Sequence, residues 1–233
     1  MKIELMPRLR MAADLVPAGA RLADVGTDHA YLPAALILKG KIPWAIAADL
    51  RRGPLDRAWA TVREYGLTGK VAFRLCDGLT GIRPDEVDAA AIAGMGGETI
   101  ASILSAAPWT REEDVPLILQ PMSSMPELRG WLQANGFSIQ EERLAKEGDT
   151  LYTALLVRAG EMPPLSPAEL WAGKNSGDPL RGEWLDRWIA RTGRALEGMA
   201  QGRGEEVLHR RRALEEVREG LIKMKEEWEV CQK

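Results

Sequence analysis

The stretch Arg21-Leu-Ala-Asp-Val-Gly-Thr-Asp-His-Ala-Tyr-Leu-Pro33 constrains this chain more than any other, because a short apolar run meets a glycine and passes straight into a helical segment. Leu22, Ala23 and Val25, interrupted only by Asp24, fit a parallel strand covered on both faces, where strict alternation is not expected. Gly26 breaks the run. A glycine there reaches backbone conformations closed to other residues and lets a ligand approach the main chain, with the amides that open the next helix directed at it.

The remaining chain supplies partners for that turn. The 233 residues are enough for one α/β domain and a smaller appendage, and 45% hydrophobic with 28% charged residues is the balance of an ordinary globular protein. A formal charge of -3 means that a nucleic-acid partner has to be met by a local basic patch. Cys76 and Cys231 lie far apart and outside any zinc spacing, which points to a reducing compartment and gives no metal site. The opening residues from Met1 to Pro7 carry no long apolar core, and no stretch approaches the roughly 18 apolar residues of a spanning helix. A cytoplasmic protein with no membrane role is expected; oligomeric state is not legible, with a monomer the default.

In chain order, residues 5–16 have helical apolar spacing, with Arg8 and Arg10 on the other face. Strands are predicted at about 21–25, 44–49, 71–75, 87–93 and 116–120, and helices at about 29–38, 53–65 (opened by Gly53-Pro54), from Gly97 to about 106, and 126–134. The rhythm then changes to two closely joined strands, 137–144 and 151–157, which must be antiparallel. Five parallel strands closed by an antiparallel hairpin resemble the Rossmann-like α/β sheet of class I methyltransferases, seven strands with the last antiparallel. Prolines between Met162 and Pro167 mark a boundary, giving domains at 1–160 and 161–233. The second holds helices at about 182–200 and 205–230, and the short link from Gln201 to Gly204 folds them into an antiparallel hairpin.

A methyl-donor enzyme of this architecture needs a glycine turn after its first strand and an acid after its second for the ribose hydroxyls. Gly26 and Asp49 meet both needs, although the same pair suits a dinucleotide fold. The loop is not GxGxxG, and Asp28 with His29 would place negative charge where a pyrophosphate sits, whereas Asp24 and Asp28 suit a sulfonium donor. Asp77-Gly78, after the third strand, is a candidate acceptor for an adenine amino group. Taken singly, Asp28 is equally readable as a helix cap and Asp77-Gly78 as an ordinary turn.

DVGTDHAYLP, followed in order by AADL, CDG, IAGMGG and LQPM, resembles the bacterial tRNA adenine-N1 methyltransferase family that acts on adenine 22 in the D arm. The resemblance covers about Met6 to Val157, and the helical arm is similar to the coiled-coil tail of such enzymes. It implies S-adenosyl-L-methionine as cofactor, tRNA as partner, and a donor site at Asp24, Gly26, Asp28, His29, Asp49, Leu50, Asp77, Gly78, Ala93, Gly94 and Met95.

Adenine N1 carries an in-plane lone pair and can attack a methyl carbon directly, so positioning is expected to supply much of the acceleration. Gly94-Met-Gly-Gly97 stands where amino methyltransferases acting on exocyclic nitrogens carry an Asp/Asn-Pro-Pro-aromatic segment, and its glycines would let a base approach the backbone; the plainer alternative is a flexible helix start. Gly94, Gly96 and Tyr31 are therefore the substrate-positioning candidates, Tyr31 as a stacking ring or, equally by position, a core residue. His29 is not assigned as a base, since no proton must leave N1 before attack. Arg8, Arg10, Arg187, Arg191, Arg194, Arg203 and Arg210 are candidate phosphate contacts, although charge interleaved with acids on a helical hairpin also reads as a solvated face. The alternatives are an NAD-dependent oxidoreductase and a non-catalytic helical adaptor.

Overall fold

A computed structural model describes residues 2–174, 177–200 and 202–232. Met1, Lys233 and Gln201 of the inter-helix link lie outside the described residues. The chain divides into two units, one ending at Met162 and the other starting at Pro163.

The first unit opens with α1 (Pro7–Leu15), which starts two residues later than predicted because Met6 is extended and Pro7 takes the first helical position. Its buried face is Met11, Ala12, Ala13 and Leu15. Then follow β1 (Arg21–Val25), α2 (Tyr31–Leu38), β2 (Trp44–Asp49), α3 (Arg52–Glu64), β3 (Val71–Leu75), β4 (Ala89–Gly96) and α4 (Gly97–Ser105). The short α5 (Trp109–Glu112) was not anticipated, and β5 (Leu117–Ser123), α6 (Met125–Ala134), β6 (Phe137–Glu147) and β7 (Thr150–Ala159) complete the unit.

The seven strands form one sheet in the order β3-β2-β1-β4-β5-β7-β6. The first five are mutually parallel, and β7 enters antiparallel between β5 and β6. Successive side chains leave a strand on opposite faces. Leu22, Ala45, Ala47, Ala89 and Ala91 accordingly join the layer containing α1 and α2, while Ala23, Ile46, Ala48, Ala90 and Ile92 join the layer containing α4 and α6. Alanine-rich β2 and β4 let helices on both faces lie close to the sheet. Between α6 and β6, Arg129 is 1% exposed and pairs with Glu142 at 3.1 Å.

Two boundaries differ from the sequence expectation in ways that shape the site. Helix α2 begins at Tyr31 rather than at His29, because Ala30 takes a left-handed conformation (φ 53) and Asp28 and His29 stay in the loop. Strand β4 begins at Ala89 rather than Val87 and does not stop at Ala93: beyond a bulge it continues to Gly96, pairing Met95 with Pro121 and Gly96 with Ser123.

In the second unit, α7 (Pro167–Ala172), α8 (Arg181–Met199) and α9 (Glu205–Cys231) pack around tryptophans. Ser166 caps α7 by accepting the Glu169 N–H at 3.3 Å, while the Glu169 carboxylate accepts the Ser166 N–H at 2.7 Å. Buried Arg181 donates to the carbonyls of Ala172 and Gly173 at the other end of that helix. Trp188 meets Trp171 and Trp184 edge-on, with centroids 5.2 and 5.5 Å away. Lys225, late in α9, pairs with Asp186, early in α8, at 2.6 Å, so the two helices run antiparallel. Leu214, Val217 and Leu221 are the buried residues of α9.

Candidate active site

In an open parallel sheet, the loops leaving the carboxyl ends of the strands gather at one rim, and ligands settle there. The register sets Val25 beside Ala48 and Ile92, Asp49 beside Leu75, and Ala93 beside Gln120. The ends of β3, β2, β1, β4 and β5 thereby form a continuous rim carrying every donor residue predicted from the sequence.

Asp24 is 6% exposed within β1, and no cation pairs with it among the described residues. Burial pushes its carboxyl up to about 6, against a hydrogen bond from Thr27 that favours the ionised form. Gly26 turns the chain with φ 75, and its N–H and that of Thr27 both donate to the Ala48 carbonyl, at 2.8 and 3.0 Å. The Thr27 hydroxyl oxygen accepts the Ala30 N–H at 3.2 Å, holding the loop closed before α2. Asp28 does not cap that helix: it is exposed and bonded to Arg57, whose guanidinium holds its carboxyl below the usual range. Its charge is therefore already offset, and the uncompensated acid next to the loop is Asp24 in β1. His29 lies against Tyr31, ring centroids 5.1 Å apart and planes inclined by 4°, and Tyr31 is 43% exposed rather than part of the core.

Asp49 ends β2 with its side chain 10% exposed and accepts the Arg51 N–H at 2.7 Å; Leu50 beside it is 64% exposed. Asp77 is exposed beyond β3, where its carbonyl accepts from the Thr80 N–H and hydroxyl. Gly78 follows it. Ala93 and Met95 are half-buried and Gly94 is exposed, its left-handed φ of 79 forming the bulge.

Sequence reading missed Gln120, the polar residue of LQPM. It is fully buried, and its Oε1 accepts both the Gly94 N–H at 3.1 Å and Arg8 Nη1 at 2.7 Å. A glutamine inside an otherwise apolar run was the available signal, since a buried amide needs partners. Arg8, predicted as part of a phosphate strip, thus stands beside Gly94 at the rim.

The other predicted basic residues scatter. Arg10 reaches the Leu5 carbonyl at 3.2 Å, and Arg187 pairs with Glu183 at 3.0 Å. Arg191 lies over the Trp188 ring at 5.1 Å, while Arg194, Arg203 and Arg210 are exposed. A cavity of about 370 Å³ lies between α3 and β3, lined by Arg52, Leu55, Asp56, Trp59, Phe73 and Leu75 and by none of the predicted donor residues. Among the described residues no group of three or more His, Cys, Asp or Glu could hold a metal ion, and no helix is long and apolar enough to cross a membrane.

This strand order, with a glycine turn and acids along the rim, defines the methyltransferase class of Rossmann-like α/β proteins, and residues 5–155 match the family model described as a methyltransferase domain. Over 160 residues the chain is 38% identical to tRNA (adenine(22)-N(1))-methyltransferase of Bacillus subtilis (strain 168), an alignment covering 69% of this chain and 67% of the relative. It belongs to that methyltransferase family. The crystal structure of the B. subtilis tRNA methyltransferase TrmK superposes with a TM-score of 0.82 at 31% identity, covering 96% of this chain and 100% of that one. A Streptococcus pneumoniae protein crystallised in complex with S-adenosyl-L-methionine gives 0.79 at 35% identity, with 92% and 100% covered.

Proposed function

We propose that this protein transfers a methyl group from S-adenosyl-L-methionine to ring N1 of adenine 22 in the D arm of tRNA. The observation that carries the reading is Asp24, a buried carboxylate without a cation among the described residues, at the rim of a methyltransferase-family sheet. A ligand bearing an ammonium and a sulfonium compensates such an acid; a dinucleotide pyrophosphate does not. The B. subtilis relative's activity points to the acceptor. The same family membership leaves the dinucleotide-oxidoreductase and adaptor alternatives without support.

Bound S-adenosyl-L-methionine supplies a methyl group activated by its sulfonium. Asp24 and the Gly26 turn receive the methionyl end, and Asp49, beside exposed Leu50, takes the ribose hydroxyls. Asp77 and Gly78 take the adenine edge, with Ala93, Gly94 and Met95 as the facing wall and His29 at the loop. Asp28, held by Arg57, orders that loop. On the acceptor side, Tyr31 offers a half-open ring already stacked on His29, and the bulge at Gly94, with Gly96 beyond it, lets the base meet the backbone. N1 is largely unprotonated near neutral pH, so no side chain has to remove a proton. Carbonyl dipoles at the end of β4 stabilise the cationic product.

Residues 1–160 are read as the catalytic domain and 161–233 as an arm that contacts tRNA in the cytoplasm. Incubation with labelled donor and unmodified tRNA transcripts, followed by nucleoside mapping, tests the reading. Label at N1 of adenine 22 is expected; label on protein, on a small molecule or at another nucleotide would refute it.

A further inference from the structure

We propose that Arg8 and Gln120 form a phosphate clamp on the acceptor side of the rim, with Arg8 binding a backbone phosphate next to the target adenosine and Gln120 positioning Arg8. The proposal rests on the tRNA reading above and deepens it.

Gln120 is fully buried in the middle of β5, and its amide is committed at both ends. Oε1 accepts Arg8 Nη1 at 2.7 Å and the Gly94 N–H at 3.1 Å, and Nε2 donates to the Pro121 carbonyl at 3.0 Å. Two donors converging on one oxygen fix which way round the amide lies. One buried side chain thus couples the bulge of β4 to a guanidinium from α1. A β-carbon placed on Gly94 would lie 3.5 Å from Arg8 Nη1, so the guanidinium sits directly over the segment assigned to the base.

Arg8 is half-buried above the Tyr152 ring, 5.7 Å from its centroid. Several other arginines of this unit have carboxylate partners, among them Arg21 with Asp88, Arg57 with Asp28, Arg129 with Glu142 and Arg158 with Asp114. The Arg8 side chain has none among the described residues; Glu147 meets its backbone N–H instead, at 3.4 Å. A neutral amide anchors one corner of the guanidinium and leaves the remainder of its fork for an anion. Holding a half-buried cation without a counter-charge is costly unless a ligand supplies that charge.

The chemistry decides which part of the nucleotide that is. Methylation at N1 creates a cationic ring, and a guanidinium against that edge would oppose the developing charge. A phosphodiester has the opposite preference and matches the fork in geometry. Arg8 therefore serves the backbone of the acceptor nucleotide, leaving the base to the ring of Tyr31 and the carbonyls of β4.

The test uses tRNA assembled by ligation with one neutral methylphosphonate linkage, placed on the 5′ or the 3′ side of adenosine 22. For the unaltered enzyme, one of these substrates is expected to lose about tenfold or more in kcat/KM, as a charge-assisted hydrogen bond would give. Arg8→Gln should lose a similar factor on all-phosphate tRNA, chiefly through KM, and show no further loss on the methylphosphonate substrate. Gln120→Glu, which places a carboxylate against Arg8, should behave like Arg8→Gln. Donor affinity measured by calorimetry should stay unchanged in the Arg8 variant, separating a phosphate contact from general disruption. The clamp is overturned if the unaltered enzyme tolerates both neutral linkages, or if Arg8→Gln retains the full methylphosphonate penalty. Absence of transfer to all-phosphate tRNA would overturn the tRNA reading and the clamp together.

Discussion

The terminal methyl of Met95 occupies the space a β-carbon at Gly26 would need, with only 2.1 Å between them. The glycine turn after β1 and the bulged end of β4 are thus two halves of one surface. Gly26→Ala carries a left-handed φ of 75, costing about 1–2 kcal/mol for an L side chain, and a lesser collision with the flexible end of Met95, which must move aside. Calorimetry should find donor affinity reduced about tenfold or more. Adding Met95→Ala relieves only the collision, so the double variant should recover part of the loss. Full recovery would mean that the turn is unstrained.

Asp24 gives the site a pH signature. Its folded value of about 6 lies above the ordinary 3.8, so between these values the donor-free native state holds a proton that the unfolded chain releases. This contribution to stability is fully present below about 3.8 and is lost as pH rises through about 6. Asp28, Asp88 and Asp114, held low by arginines, act in the opposite sense as pH falls. The difference between the chain and its Asp24→Asn variant isolates the effect: melting curves from pH 4.5 to 7.5 should show the variant gaining relative stability as pH rises, on the order of 2 kcal/mol. Donor affinity should climb to about pH 6 and then level off in the unaltered protein, and stay weak and flat in the variant.

The parallel stack of His29 and Tyr31 leaves the tyrosine ring partly open to solvent. If that ring receives the acceptor base, Tyr31→Phe should retain much of the turnover while Tyr31→Ala loses about 1–3 kcal/mol of stacking, roughly five- to 150-fold in kcat/KM for tRNA. Equal turnover by the alanine variant would remove Tyr31 from the site.

Arg194, Arg203 and Arg210 are exposed on the helical arm, unlike Arg187, which is engaged with Glu183. Replacing those three together with glutamine should weaken tRNA binding and flatten its dependence on salt, by up to about 0.9 in the log–log slope for each phosphate that is no longer neutralised. Donor affinity should not change. An unaltered salt slope would assign these residues to a merely solvated face.

The buried pair of Arg129 and Glu142 ties α6 to β6. Glu142→Ala removes the carboxylate that faces a guanidinium 1% exposed, and chemical denaturation should show a loss of about 3–5 kcal/mol. A loss below about 1 kcal/mol would indicate that Arg129 finds other partners.

Much of the fold was legible in the sequence because its signals are local. Apolar runs bounded by glycine and proline marked β1, β2 and β3 at their observed limits, and the closely joined strands 137–144 and 151–157 could only be antiparallel. The short α5 was missed because four residues carry no periodicity. The start of α2 was missed because a left-handed alanine has no sequence signature, and the extension of β4 because its pairing depends on β5, more than twenty residues away.

At the rim the same division holds. The order of residue types alone was enough to place Asp24, Gly26, Asp49, Asp77 and Gly94 at successive strand ends, since a parallel α/β sheet sends those ends to one side. The environment of each group required the tertiary structure. Asp28 and Asp24 look alike in the sequence, yet Arg57 from α3 offsets the first, while burial leaves the second uncompensated and pushes its carboxyl upward. Gln120 reads as an odd polar residue in a strand until Gly94 and Arg8 converge on its oxygen. Charge state and hydrogen-bond geometry depend on contacts between residues far apart in the chain, and only the assembled sheet and its helices fix those contacts.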